Sequence, residues 1–237
     1  MCHLCPPTAT SRRHFLTLAT AGLATSLGVA PAWAAGGPVT SLSADEALAK
    51  LKAGNDKYVQ TPQVCAAELA QQREHVAKHQ APWATILSCA DSRVPPELLF
   101  GGVGVGELFV ARNAGNMADT ATLGTLEYGS GVLGVPLIVV LGHERCGAVA
   151  AACDVVQKKT KYPGSIGPMV QAIVPAARSV AGQAGDMVDN AVRASALRTV
   201  DKIITRSPII GDLVKKGKVK VVAARYDLDD GRVEYLG

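Results

Sequence analysis

Four short apolar runs constrain this chain most: "WATILS" (83–88), "ELFVAR" (107–112), "PLIVVLGH" (136–143) and "KVKVVAARYDL" (218–228). Helical stretches separate them, at 119–133, 146–158, about 167–181, 186–206 and 208–216. Strands that are apolar throughout, with helices between them, build a mostly parallel sheet covered on both faces. Asp229-Asp-Gly231 then signals a turn, and "RVEYL" (232–236) follows as a hairpin partner. Ahead of the sheet, Ser43-Ala-Asp-Glu46 is a capping box that predicts a helix from near Ala44 to near Tyr58. A second helix is predicted from about Cys65 to Lys78. The expected fold is α/β: a single domain with a mostly parallel central sheet flanked by helices, an N-terminal helical arm and a C-terminal hairpin strand.

Composition narrows the partners. Of 237 residues 48% are hydrophobic, enough for one real core. The net charge is only +4 and no long basic run occurs, while aromatics make up 4%. Neither an electrostatic footprint nor a stacking platform for nucleic acid is present.

The first 34 residues resemble an address. Arg12-Arg13 precede Phe15-Leu16, a mild apolar stretch to about Ala30, and Ala32-Trp33-Ala34. Paired arginines, a short apolar region and a small-x-small site make a twin-arginine-type signal peptide, which exports folded proteins. The apolar stretch is too short for a spanning helix, so no stable membrane insertion is expected. Cleavage after Ala34 leaves residues 35–237 as the working domain, in a periplasmic or otherwise exported location. Cys2 and Cys5 are discarded with the signal, and Cys65, Cys89, Cys146 and Cys153 stay.

In a parallel sheet, ligands sit outside the carboxyl ends of the strands. Cys89 ends the first run and His143 the third, with Cys146 three residues later. The Ala-rich segment after Gly147 suggests a helix that sets His143 and Cys146 on one face. Two thiolates and an imidazole suit Zn2+, and three protein ligands leave a fourth position open, as catalytic sites require. Asp91 and Arg93 follow Cys89 at every second position, a spacing that aims all three groups at one crevice. Asp91 is suited to orient a zinc-bound hydroxide. Arg93 is suited to hold Asp91 by a two-pronged hydrogen bond and keep it off the metal. The glycine-rich stretch Gly101–Gly106 is not a dinucleotide fingerprint and is expected to be a flexible loop.

Cys89-Ala-Asp-Ser-Arg93 with Val-Pro-Pro-Glu after it, "FVARNAGN" (109–116), "GHERCGAV" (142–149) and the closing "YDLDDGRVEYL" together resemble a β-class carbonic anhydrase, from about Ser43 to Leu236. The resemblance implies Cys89, His143 and Cys146 as ligands of one Zn2+ per chain and Asp91 and Arg93 as the catalytic dyad. It implies Gln80 beside the substrate, Phe109, Tyr128 and Ala114 at an apolar pocket wall, and Gly142 as a small residue before the histidine. It also implies a homodimer or homotetramer. Some bacterial members carry a tryptophan where Ile86 stands, as part of an inhibitory bicarbonate pocket. Its replacement predicts a constitutively open site, with Asp91 on Arg93 at all pH values.

The expected reaction is reversible hydration of CO2 to bicarbonate and a proton, by attack of zinc-bound hydroxide. Two alternatives stand beside it: hydrolysis of CS2 or COS on the same fold, and a non-catalytic zinc- or bicarbonate-binding protein. His75, His79 or buffer are the options for carrying the proton away.

Overall fold

The computed structural model describes residues 39–61 and 69–237. The expected signal segment, with Cys2 and Cys5, and Cys65 lie outside the described residues. In chain order the elements are α1 (Ala44–Gln60), α2 (Leu69–Val76), β1 (Ala84–Cys89), α3 (Pro96–Leu99), β2 (Leu108–Asn113), α4 (Thr120–Gly131), β3 (Leu137–His143), α5 (Gly147–Lys158), α6 (Ile166–Ser179), α7 (Met187–Arg206), α8 (Pro208–Lys215), β4 (Lys220–Tyr226) and β5 (Val233–Leu236). The four apolar runs are the four parallel strands, and the terminal run is the antiparallel hairpin partner.

The capping box forms as expected. Ser43 Oγ accepts from Glu46 N–H at 3.3 Å, and Glu46 Oε2 accepts from Ser43 N–H at 2.8 Å. Of the second predicted helix, Leu69–Val76 is helical among the described residues and ends two residues before Lys78, while its expected start near Cys65 lies outside them. The sequence reading did not anticipate α3. Its four residues begin at Pro96, whose fixed φ suits a first helical position.

Strand order is β2-β1-β3-β4-β5. The chain leaves β1 to one side for β2, then crosses back over β1 to lay down β3. The order therefore reverses at the β1–β3 pair, and a crevice opens there at the strands' carboxyl ends. Both faces of the sheet are covered. Ile86, Leu137, Val139 and Leu141 pack with Ala47 and Leu51 of α1 and Leu99 of α3. Leu87, Ile138, Val140 and Ala223 pack with Leu126 of α4, Ile203 of α7 and Ile210 of α8. A third apolar cluster joins α5, α6 and α7 and includes Cys89 and Cys146.

One buried side chain ties the N-terminal helix to the far end of the chain. Asn55, 5% exposed, donates from Nδ2 to the carbonyls of Leu99 (3.0 Å) and Gly231 (2.9 Å), and its Oδ1 accepts from Val233 N–H (2.8 Å). Removing it orphans three backbone groups, each at a cost of about 1–3 kcal/mol where water cannot reach. With two of the three bonds only part-buried, Asn55→Ala is expected to lower stability by about 3–4 kcal/mol, measured as a shifted midpoint with unchanged slope in urea unfolding.

Candidate metal centre

Cys89 Sγ, a nitrogen of His143 and Cys146 Sγ all lie within 4.8 Å of one another, and all three residues are buried. The strands deliver two of them. Cys89 is the last residue of β1 and His143 the last of β3, and the parallel register sets these ends side by side. Cys146 arrives differently from the expectation: it is the N-cap of α5, so His143 and Cys146 do not share a helix face. A turn through Glu144 and Arg145 joins them, with Arg145 at φ +52°. The neighbouring helix restricts β3 here. A Cβ on Gly142 would stand 3.0 Å from Val192 Cγ1 of α7.

Hydrogen bonding tests whether these residues suit a metal. His143 Nδ1 lies 2.8 Å from the Glu144 carbonyl, which can only accept, so Nδ1 carries the proton. Nε2 then presents a lone pair, and it is fully buried with no hydrogen-bond partner among the described residues. An orphaned acceptor facing two thiols is costly unless a cation fills the space. The thiols show the same demand. Cys89 and Cys146 sit 3.9 Å apart. The Cys146 thiol pulls the Cys89 pKa down to about 4, helped by His143 and by Gly115 N–H at 3.4 Å. Cys89 in turn pushes Cys146 up, and burial adds to that. Proximity and burial oppose two neighbouring thiolates, whereas a divalent cation stabilises both. The donor set fits Zn2+.

Asp91 and Arg93 stand beside the cluster, though strand alternation does not put them there. β1 ends at Cys89, and the next residues turn, with Val94 N–H bonding to Asp91 O at 3.0 Å. Within that turn Arg93 N–H, Nε and Nη2 all donate to the Asp91 carboxylate, at 3.0, 2.9 and 2.7 Å. The Arg93 side chain holds the Asp91 carboxyl well below the usual carboxylate range. Asp91 Oδ2 is 3.8 Å from His143 Nε2, next to the orphaned lone pair.

Arg112 was missed in the sequence reading as a site residue. It donates from Nε to the Cys89 carbonyl (3.0 Å) and from Nη2 to the Asp91 carbonyl (2.6 Å), pinning the turn on both sides of Ala90. The available signal was its place in "FVARNAGN". Asn113 closes the adjoining turn with two bonds to the Met117 backbone, both 2.7 Å. Ala114 lies in that turn, between the register partner of Cys89 and Gly115.

The other residues that the resemblance implies at the pocket make no contact with the cluster among the described residues. Phe109 pairs with Thr85, four residues before Cys89 and roughly 13 Å along the strand. Tyr128 is 45% exposed and stacks near Phe109, with ring centroids 6.2 Å apart. Gln80 is exposed in the link between α2 and β1, as is His79, and His75 is exposed on α2. Cys153 is a buried free thiol in α5. The Gly101–Gly106 loop is held at several points: Gly104 N–H donates to Glu107 Oε2 at 2.6 Å, Val105 N–H to Gln72 Oε1 at 3.2 Å and Val103 N–H to the Glu97 carbonyl at 3.1 Å.

Comparison with known proteins agrees with this geometry. The family model for carbonic anhydrase matches residues 84–233. The chain is 37% identical to carbonic anhydrase 2 of Mycobacterium tuberculosis over 77% of its own length and 87% of that protein. It is 35% identical to a carbonic anhydrase of Mycolicibacterium smegmatis, with 78% and 89% covered. Among solved structures, Coccomyxa β-carbonic anhydrase with acetazolamide superposes at a TM-score of 0.63 with 30% identity, covering 80% of this chain and 86% of that one. A tetrameric β-carbonic anhydrase from Sordaria macrospora gives 0.62 with 26% identity, covering 73% and 91%. The chain therefore belongs to the β-carbonic anhydrases, a family of enzymes.

Proposed function

We propose that this chain catalyses the reversible hydration of CO2 to bicarbonate, with Cys89, His143 and Cys146 holding one Zn2+. One observation carries the reading. The buried, unpartnered Nε2 of His143 lies beside two thiols on one side and an Arg93-held carboxylate on the other. Zn2+ held there supplies Lewis acidity and makes water acidic enough to act as a nucleophile near neutral pH.

The chain's own groups supply the rest. Asp91 presents its Oδ2 toward the ligand cluster and takes a hydrogen bond from the attacking water, which aims a lone pair at the carbon of CO2. Arg93 keeps Asp91 ionised and occupies it, so the carboxylate orients water instead of joining the ligand set. Arg112 fixes the distance between Cys89 and Asp91 through their carbonyls. The buried strand ends limit competing water on the ligand side.

Gln80, Phe109 and Tyr128 complete the substrate pocket in this reading only through a second copy, since one chain does not bring them to the cluster. The protein is thus proposed to work as a homodimer or homotetramer, in line with the tetrameric description of the Sordaria relative. Residues 1–34 are proposed to direct export by the twin-arginine route, which lets the thiolates be metallated before they meet an oxidising compartment. No helix among the described residues is long and apolar enough to cross a membrane.

Three outcomes are expected. Asp91→Asn lowers kcat/KM for CO2 hydration by about 100-fold or more in stopped-flow assays, with zinc content by mass spectrometry unchanged. Zinc loss in that variant would instead make Asp91 structural. With Ile86 in place of a tryptophan, activity is present at both pH 7 and pH 8.5. A crystal structure near pH 7 with Asp91 bound to the metal would sink the open-site reading. N-terminal sequencing of protein recovered from a native-type host is expected to begin at Ala35, and an intact Met1 would remove the export proposal.

A further inference from the structure

A second polar cavity, of about 410 Å3, lies away from the metal centre, between α6, α7 and the turn leading into α4. Arg198, Lys202 and Arg206 of α7 line it at successive four-residue steps. Like charges at that spacing repel and destabilise a helix. Elsewhere the fold uses the same spacing for opposite charges: Lys158 with Asp154 (2.8 Å), Arg193 with Asp189 (3.1 Å) and Lys216 with Asp212 (2.6 Å). The three cations of the cavity have no carboxylate within 4.0 Å among the described residues, although Asp201 also lines the space. Arg198 and Arg206 are exposed and Lys202 half-buried at the mouth, and buried hydroxyl residues lie between them. Ser195 and Thr199, 6% and 7% exposed, line the cavity from the same helix face.

We propose that this cavity binds a phosphate-class oxyanion, either inorganic phosphate or the phosphoryl group of a small metabolite. The charge balance favours an anion. Three cations stand against Asp201 in the cavity and Asp119, whose carboxylate feels the Lys202 charge, and one positive charge is left to neutralise. The donor types agree. Two guanidinium forks match phosphoryl oxygens in pairs, a lysine adds a point charge, and hydroxyls serve the remaining oxygen. The volume lies near the small end of ligand cavities, roughly 300–1,000 Å3, so it suits one phosphoryl group with a short body and not an extended polyanion.

The site is separate from the metal centre yet close to it in the chain. Met117 and Ala118 line the cavity, and the same turn donates Gly115 N–H to Cys89. None of the cavity's cations takes part in the metal cluster or the Asp91–Arg93 pair.

Calorimetric titration of the zinc-loaded chain with inorganic phosphate, and separately with pyrophosphate, tests this at constant ionic strength in NaCl. Saturable binding of one anion per chain is expected. Lys202→Gln and Arg198→Gln should each weaken it tenfold or more, while CO2 hydration without phosphate stays unchanged. Thr199→Val, which removes a hydroxyl without changing charge, should weaken it less. Absence of saturable binding, or binding that all three variants leave intact, overturns the proposal. The second result would place the anion at the metal centre instead. Failure here leaves the carbonic anhydrase reading untouched, because the readout is anion affinity and not turnover.

Discussion

The side-by-side pairing of β1 and β3 is the constraint on which the rest of the molecule depends. Ser88 pairs with Leu141, so the two strands end within a residue or two of one another. Because β2 lies on one side of β1 and β3 on the other, no crossover chain covers the gap at their carboxyl ends. A thiol at one end and an imidazole at the other then converge without any long loop to order. The helices are arranged to protect that pairing, with α1 and α3 on one face and α4, α7 and α8 on the other.

The second constraint is electrostatic. The pocket holds two thiols, a carboxylate and a buried imidazole lone pair, and every one of these is electron-rich. Such a set is stable only with positive charge supplied from outside it. The chain provides part through Arg93 on Asp91 and Arg112 on two carbonyls. Backbone N–H from Gly115 adds a partial charge at Cys89. What is still lacking at His143 Nε2 is what a bound cation provides.

The fold was legible in the sequence because its strands are buried on both faces and so read as unbroken apolar runs. Pro136 through His143 is the plainest case, with every residue of β3 buried. Ser43 and Glu46 marked the start of α1 because capping is local chemistry. The identities of Cys89, Asp91, Arg93, His143 and Cys146 were legible for a similar reason, since apolar runs bounded by polar residues draw attention to their ends. The means of bringing them together were not. Turn conformations at Asp91–Val94 and at Glu144–Arg145 replace the strand alternation and helix face that spacing suggested. Arg112 was hidden because an arginine on a strand that acts through backbone carbonyls leaves no mark of its own in sequence. Gln80, Phe109 and Tyr128 were named from the family resemblance alone, and no contact with the cluster within the chain marks them.

The two bonds from Arg112 tie a ligand and its neighbouring acid to a single rigid plane. Cys89 and Asp91 cannot shift independently, for each carbonyl is held by a different nitrogen of one guanidinium. An ion of larger radius would need longer bonds to Cys89, and the backbone that gave way would carry Asp91 with it. On the proposed reading the size of the metal would be judged twice, once through the thiolates and imidazole and once through the acid that would aim the water, and an ion that the thiolates tolerate could still leave the carboxylate out of place.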